Sequence, residues 1–289
     1  MKLRFCLILS LYLAFSASTV WAGGLSNLCN AIVSKEYGFL YGENQQSKEH
    51  RRIRNLLIKK RYLQAAWELQ DLGEMHKAQE IIDELENVVR NSKIKKLRKV
   101  RGDSGPILVE LDDGQMGIFK SNEDAPSRSY KHELAAYQIA KALGLRRVPI
   151  TVEREFNGKK GSLQLFVKGR HPTKNSKFNW GNDGLFFEYL IGNYDFYPQN
   201  IIVLDTGKPV FIDHDAGFPN GYYVTTEAFT KIFIEGIDWM DLNPSKEITE
   251  KFKSLSELNF KALIEDYLSS TQIDEFMKRR AILIKKLKL

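Results

Sequence analysis

The chain has 289 residues, of which 43% are hydrophobic and 27% are charged, and its formal net charge is +7. This length and composition are enough to bury one large core or two smaller ones, which excludes an intrinsically disordered protein. The sequence has two cysteines, Cys6 and Cys29. So few cysteines exclude a disulfide-rich scaffold and a cysteine-based zinc site.

The first 22 residues have the pattern of a secretory signal peptide. Lys2 and Arg4 precede an apolar run at residues 5–15, and small residues then lead to Ala22. The apolar run is shorter than the about 20 residues that span a bilayer. We therefore expect cleavage after Ala22 and export to the periplasm or the extracellular space. Loss of Lys2 and Arg4 lowers the net charge from +7 to +5, and no basic cluster with interleaved aromatic residues predicts a nucleic-acid partner.

Residues 23–98 are interpreted as a helical N-terminal extension. Apolar residues recur at three- and four-residue spacing between Ile53 and Leu69, Gly73 interrupts the pattern, and a second helix is expected near residues 76–90. Two helices joined by a short turn form a helical hairpin. Packing or docking is the expected role of this segment.

Residues 99–168 are predicted to form a small antiparallel sheet with one helix. Asp-Gly and Asn-Gly pairs between alternating apolar runs are hairpin signals, and Gly144 is a typical helix C-cap. The predicted elements are, in order, a hairpin at residues 107–111 and 116–120, a helix at 127–143, and a hairpin at 148–155 and 162–167.

Residues 169–289 are predicted to be mostly helical. The expected elements are a helix at residues 183–192, two short strands at 201–204 and 210–213, and helices from 225 to the end. A small sheet region followed by a helical region predicts a two-lobed α+β fold with a cleft between the lobes. The basic run at 278–280 and Lys285-Lys286 are interpreted as one solvated helix face, with a membrane-surface role as the alternative.

Three polar residues at the two short strands fit phosphoryl transfer. Asp195 lies on the loop before the first strand, Asn200 follows five positions later, and Asp213 ends the second strand. An aspartate that orients an accepting hydroxyl, with an asparagine and a second aspartate as metal ligands, is the set this reaction requires. The same spacing occurs in protein kinases.

The first hairpin supplies a complementary set. Lys120 ends its second strand and Glu133 lies on the helix that follows, so the carboxylate can hold the lysine toward nucleotide phosphates. Upstream of the hairpin, the small residues Gly102, Ser104 and Gly105 would let backbone N–H groups approach phosphate oxygens. A surface ion pair of Lys120 with Glu133 is the alternative interpretation.

Several segments resemble the phosphatidylinositol 3-/4-kinase-like group of atypical kinases, especially its type II lipid kinases and the HipA-type and secreted protein kinases. The resemblance covers about residues 100–219. It is carried by Gly102-Asp103-Ser104-Gly105, Gly117-Ile118-Phe119-Lys120, Glu133-Leu134-Ala135-Ala136-Tyr137, and Ile212-Asp213-His214-Asp215-Ala216-Gly217-Phe218-Pro219.

The resemblance implies a protein-kinase-like fold, with residues 99–168 as the N-lobe and 169–289 as the C-lobe. It also implies ATP with Mg²⁺ or Mn²⁺ as cofactors. The implied catalytic residues are Asp195, Lys120 and Glu133, the implied metal ligands are Asn200, Asp213 and Asp215, and the implied nucleotide contacts are Gly102, Ser104, Gly105, Lys120, Phe166 and Val167.

Two departures from the pattern leave alternatives open. Phe196 and Tyr197 follow Asp195 where the group usually has Arg-His, and Asp215 stands where many members have glycine, which resembles CotH-type kinases. The sequence therefore predicts an exported kinase that phosphorylates a hydroxyl of a protein, or of a lipid. A kinase-like module without activity that acts by protein docking, and a phosphotransferase of small molecules, are the alternatives.

Overall fold

The computed structural model describes residues 47–102, 105–121, 128–172, 181–220 and 242–289, together with 24, 27 and 28. The chain divides into two compact units, one comprising residues up to Lys95 with Leu111–Gln115, and the other comprising Lys96–Glu110 with Met116–Leu289. The predicted signal peptide lies outside the described residues. In the part that the structure describes, no helix is both long and apolar enough to cross a bilayer.

The first unit is helical, as predicted. Its helices are α1 (Lys48–Ile58), α2 (Tyr62–Asp71) and α3 (Met75–Asn91). The single helix expected between Ile53 and Leu69 is two helices, because Lys60 has a left-handed backbone with φ of 54°. The apolar periodicity continues across this break, since Ile53 and Leu69 are both fully buried. Periodicity alone therefore could not locate it.

The second unit begins with an antiparallel sheet and one helix. The strands are β1 (Ile94–Lys99), β2 (Ile107–Leu111), β3 (Met116–Lys120), β4 (Thr151–Phe156) and β5 (Lys159–Leu165), in the order β1-β2-β3-β5-β4. Helix α4 (Tyr130–Leu143) packs against β4 and β5. Both predicted hairpins and the helix between them are present. Ser129 caps α4, since its hydroxyl accepts a hydrogen bond from the Lys131 amide at 3.2 Å.

Strand β1 was not predicted, because helical signals were expected to continue to residue 98. The strand lies at the edge of the sheet, and five of its six side chains are exposed. An edge strand with solvent on both faces lacks the alternation of apolar and polar residues that identifies a half-buried strand. Four of its residues are lysine or arginine, which protect sheet edges from pairing with other chains.

The rest of the second unit is mainly helical. It contains α5 (Asn182–Ile191), β6 (Ile201–Val203), β7 (Pro209–Phe211), α6 (Lys246–Ser254), α7 (Glu257–Ile264) and α8 (Ser270–Leu287). Phe186, Phe252, Phe260 and Phe276 form a chain of ring contacts with centroids 5.1 to 5.8 Å apart. This core joins α5 to the three C-terminal helices.

The interpretation of residues 278–280 as a solvated basic face was wrong for two of the three. Arg279 is fully buried and donates hydrogen bonds to the carbonyl oxygens of Leu190 and Ile191, at 3.0 and 3.3 Å. Burial lowers the pKa of Arg279 to about 10. Arg280 is 8% exposed, lies over the rings of Phe252 and Phe260, and donates to the Leu255 carbonyl oxygen at 2.9 Å. Both guanidinium groups satisfy carbonyl oxygens inside the helical region.

Candidate functional site

Lys120 and Glu133 form a buried ion pair. Lys120 ends β3, and Glu133 lies in the first turn of α4 with only 1% of its surface exposed. The Lys120 ammonium donates to Glu133 Oε1, and Gln164 on β5 donates to the other carboxylate oxygen at 3.3 Å. The alternative of a surface pair is wrong, because the Lys120 side chain is 10% exposed and that of Glu133 is 1% exposed.

A glycine that the sequence analysis did not identify allows this arrangement. A Cβ atom at Gly161 would lie 2.1 Å from the Lys120 carbonyl oxygen and 2.7 Å from the Phe119 ring. Gly161 therefore lets strand β5 approach the end of β3, where the Lys120 side chain begins. Close approach of two backbones is a common reason for glycine inside a strand.

Two aspartates that follow β7 complete a carboxylate cluster. The Lys120 ammonium lies 2.5 Å from Asp213 Oδ1 and 3.6 Å from Asp215 Oδ2. Asp213 has a left-handed backbone with φ of 65°. This conformation is uncommon for residues other than glycine and often occurs at functional sites. One oxygen each of Glu133, Asp213 and Asp215 can be chosen so that all three lie within 4.8 Å of one another.

The charges of this cluster shift one another's pKa values. Burial favours the neutral form of Lys120, but the attraction of Glu133, Asp213 and Asp215 outweighs it and raises the pKa of Lys120. Burial also opposes ionisation of Asp213, yet contact with Lys120 holds the pKa of Asp213 below its usual value. For Asp215, burial dominates and raises the pKa. The cluster keeps Lys120 charged and Asp213 ionised.

Asp195 lies on a loop whose backbone is fixed on both sides. Its amide donates to Asn193 Oδ1 at 3.2 Å, and its carbonyl oxygen accepts from Asn200 Nδ2 at 2.7 Å. The Asn200 carbonyl oxygen accepts in turn from the Ile212 amide at 3.1 Å. The loop that carries Asp195 is thus joined to the segment that carries Asp213. Burial raises the pKa of Asp195.

Arg128, which the sequence analysis did not identify, reaches this loop from the segment before α4. Its guanidinium lies 2.8 Å from Asp195 Oδ2 and 3.3 Å from Asp215 Oδ1. The pairing partners are 67 and 87 positions away, so no local pattern indicates the contact. Burial alone would lower the pKa of Arg128, but the two aspartates raise it.

A second buried network joins the loop of Asp195 to the segment of Asp213 and Asp215. His214 Nε2 lies 3.1 Å from Glu188 Oε1 on α5, and Glu188 Oε2 accepts from Asn193 Nδ2 at 2.9 Å. Asn193 also holds the Asp195 amide. Burial disfavours a charged His214, but Glu188 outweighs this and raises its pKa. His214 is therefore a buried partner of Glu188.

The donor set fits a hard divalent cation. Carboxylate oxygens are the ligands that Mg²⁺ and Mn²⁺ prefer. When all four carboxylates (Glu133, Asp195, Asp213, Asp215) are ionised, they exceed the two cations that they contact (Lys120, Arg128) by two negative charges. One divalent ion would balance them.

The structure is similar to that of hydra Fam20 with sugar, with a TM-score of 0.53 and 15% identity over 72% of this chain and 88% of that chain. This chain has an atypical kinase-like fold. Golgi casein kinase with Mn/ADP bound aligns with a TM-score of 0.48 and 12% identity, over 72% of this chain and 76% of that one. The Helicobacter pylori proinflammatory kinase CtkA aligns with a TM-score of 0.44 and 13% identity, over 70% and 94%. Neither a protein-family model nor a curated protein matches the sequence.

In the terms of this kinase-like fold, β1 to β5 with α4 form the N-lobe and the helices from α5 onward form the C-lobe. Lys120 and Glu133 come from the N-lobe, while Asp195, Asn200, Asp213 and Asp215 come from the C-lobe. The predicted catalytic and metal-binding residues therefore come from both lobes.

The predicted nucleotide contacts are spread along the N-lobe. Gly105 has φ of 61°, and its amide donates to the Gly102 carbonyl oxygen at 3.1 Å. Ser104 lies outside the described residues. Phe166 has 45% of its surface exposed, but its amide already donates to the Met116 carbonyl oxygen at 2.8 Å. Val167 is buried. The Phe166 amide is therefore already paired, and the exposed part of this residue is its side chain.

His132 connects α4 to the segment that carries Asp213 and Asp215, and to α8. His132 Nδ1 lies 2.7 Å from the Asp215 carbonyl oxygen, and its Nε2 lies 2.8 Å from Gln272 Nε2. A carbonyl oxygen only accepts and an amide nitrogen only donates, so His132 is neutral with its proton on Nδ1. Burial lowers the pKa of His132. Protonation would set an N–H group against the Gln272 amide.

We expect the second unit to lose stability as the pH falls below about 6.5, the ordinary histidine pKa. Below that value the unfolded chain binds a proton that the folded His132 does not, which costs at most about 1.4 kcal/mol per pH unit. His132→Asn keeps the donor toward Asp215 and cannot titrate. Urea denaturation between pH 7.5 and 5.5 should show that the free energy of unfolding falls less with pH in this variant than in the wild type. His76→Asn, at an exposed histidine, is the control, and an equal slope in wild type and His132→Asn would contradict the assignment.

Proposed function

We propose that the chain is an exported phosphotransferase that moves the γ-phosphate of ATP to a hydroxyl of a protein acceptor with Mg²⁺ or Mn²⁺. The observation that carries the proposal is Lys120 held between Glu133, Asp213 and Asp215 in a kinase-like fold. An ammonium surrounded by carboxylates at the junction of the two lobes provides charge of both signs for a metal–nucleotide complex. Placement in the phosphatidylinositol 3-/4-kinase-like group is supported by the sequence motifs alone.

Each side chain of the site has a proposed role. Lys120 binds nucleotide phosphates and Glu133 fixes its flexible chain. Asn200, Asp213 and Asp215 supply oxygen ligands, and a divalent ion bound there supplies positive charge against the phosphates. Asp195 orients the acceptor hydroxyl and accepts its proton, a role helped by burial that raises its pKa.

Phe196 and Tyr197, which depart from the kinase pattern after Asp195, do not argue against activity. Phe196 is 1% exposed and stacks on Phe211 of β7, with ring centroids 6.2 Å apart. Its side chain therefore anchors the loop of Asp195 in the core. Tyr197, which is 36% exposed, begins the turn that leads to Asn200. The inactive docking module consequently gains no support from these positions.

A protein acceptor is proposed because the sequence shows no long apolar loop of the kind that enters a lipid surface. The signal-peptide pattern of residues 1–22 supports export. An exported enzyme needs a compartment in which ATP is supplied, such as the lumen of a secretory pathway or a second organism.

Asp195→Asn and Asp213→Asn should separate the proposed roles. We expect Asp195→Asn to lower turnover at least about 10²-fold while metal–nucleotide binding stays near wild type, since the base acts in the chemical step. Asp213→Asn should weaken both binding and turnover, because it removes a metal ligand. Calorimetry with Mn²⁺ and a non-hydrolysable ATP analogue measures the first property, and ADP release measures the second. Asp205→Asn, in the β6–β7 turn, is a control; unchanged turnover in Asp195→Asn would disprove its role.

A further inference from the structure

Arg128 is a second cation, beside Lys120, that lies close to these carboxylates. Its guanidinium bridges Asp195 on the catalytic loop and Asp215 on the metal-binding segment, at 2.8 and 3.3 Å. Its side chain is 24% exposed, so the group lies at the edge of the site and not in the core. The residue sits just before α4, the helix that carries Glu133.

We propose that Arg128 is a positioning residue that fixes the carboxylate of Asp195 for its reaction with the acceptor hydroxyl. The inference rests on the proposed phosphotransferase function and deepens it. Asn193 and Asn200 hold the backbone of Asp195 through its amide and carbonyl groups. Those backbone contacts do not fix the rotamer of the Asp195 side chain. Arg128 binds Oδ2, which directs Oδ1 toward the acceptor.

Geometry favours arginine for this task. A guanidinium is a planar fork whose two terminal nitrogens can bind two different carboxylates at once, whereas an ammonium is a single point charge. Arg128 uses Nη2 for Asp195 and Nη1 for Asp215. The group therefore sets the position of the catalytic carboxylate relative to the metal-binding segment, and it does so from the N-lobe side of the chain.

A structural role and a positioning role predict different kinetics. If Arg128 positions Asp195, its loss lowers kcat and leaves the KM for ATP and the metal requirement unchanged, because the ground-state ligands remain. If it acts through Asp215, the metal concentration for half-maximal activity rises. If it only stabilises the fold, the loss of kcat is no larger than the fraction of protein that is unfolded under the assay conditions, which the unfolding midpoint gives.

The test compares Arg128→Gln, Arg128→Lys and Arg128→Ala with wild type in an ATP turnover assay. We expect Arg128→Gln to lower kcat by about 10- to 100-fold, the effect of a misplaced catalytic group. Arg128→Lys should recover part of the loss, and added guanidinium ion should restore part of the activity of Arg128→Ala. The matched control is Arg146→Gln, which removes a guanidinium of equal exposure from a surface pair with Glu247 and should leave kcat unchanged.

A double variant completes the test. Since Arg128 acts through Asp195, adding Arg128→Gln to Asp195→Asn should lower kcat little further, as residues that act as a unit are not additive. Additive losses, a raised metal requirement, or a kcat equal to wild type in Arg128→Gln would each overturn the proposal. An inactive wild-type chain would instead contradict the proposed function itself, so the two failures are distinguishable.

Discussion

Replacement of Lys120 by methionine is expected to abolish turnover and to destabilise the protein by about 3–5 kcal/mol, the usual cost of removing one partner from a buried ion pair. The substitution leaves Glu133 and Asp215, each 1% exposed, beside Asp213 without their shared cation. Three close carboxylates repel one another in a region of low dielectric constant. Mg²⁺ or Mn²⁺ should restore part of the lost stability, because a metal ion can replace the missing ammonium charge.

Urea denaturation with EDTA and with each metal measures this effect. Lys278→Met is the matched control, since Lys278 pairs with Glu275 at 2.8 Å but is 63% exposed. Its loss should cost less than about 1 kcal/mol, as for most surface pairs. A Lys120→Met variant as stable as wild type would contradict a close carboxylate cluster around Lys120. A variant that divalent ions do not stabilise would contradict metal binding by these three acids.

Gly192→Ala is expected to destabilise the protein by about 2–5 kcal/mol and to lower turnover. Gly192 ends α5 with φ of 69°, a backbone conformation that costs other residues about 1–2 kcal/mol. An added Cβ would also lie 2.8 Å from the guanidinium carbon of Arg279 and 3.0 Å from Pro219. Overpacking of this kind costs about 1–3 kcal/mol more. Displacement of Arg279 would release the carbonyl groups at the end of α5, immediately before the loop of Asp195.

Gly207→Ala separates the two contributions. Gly207 has φ of 80°, but nothing lies within 4 Å of the position of its Cβ. Its replacement should lower the free energy of unfolding only by the about 1–2 kcal/mol of the left-handed backbone, and it should leave turnover unchanged. Thermal and urea unfolding of both variants measure the difference. Equal losses at the two positions would show that the Arg279 contact adds nothing.

The sequence predicted the part of the site that depends on order and spacing. Lys120 at a strand end, Glu133 on the next helix and Asp213 after the second short strand do meet, with Lys120 between the two acids. Each position follows from a local pattern, namely a hairpin, a capped helix and a turn. Once the sheet and helix are placed, these patterns bring the three side chains together.

Residues that act across long separations were not predictable from one sequence. Arg128 lies in a polar stretch of sequence. Its contact with Asp195 depends on the tertiary fold, which brings the start of α4 next to the loop of Asp195. Glu188 lies in an apolar helix, where its pairing with His214 gives no local signal. Arg279 was misjudged because a Lys-Arg-Arg run usually faces solvent, whereas here two carbonyl groups bind it.

The most direct measurement of the central claim is transfer of labelled γ-phosphate from ATP by the purified full-length chain, with Mg²⁺ or Mn²⁺, beside Asp213→Asn. We expect metal-dependent transfer, to the chain itself or to an added protein, that is absent in Asp213→Asn. Transfer to lipid vesicles or small hydroxyl compounds alone would change the acceptor class and keep the reaction. Absence of transfer together with absence of metal-dependent nucleotide binding would contradict the assignment of the site.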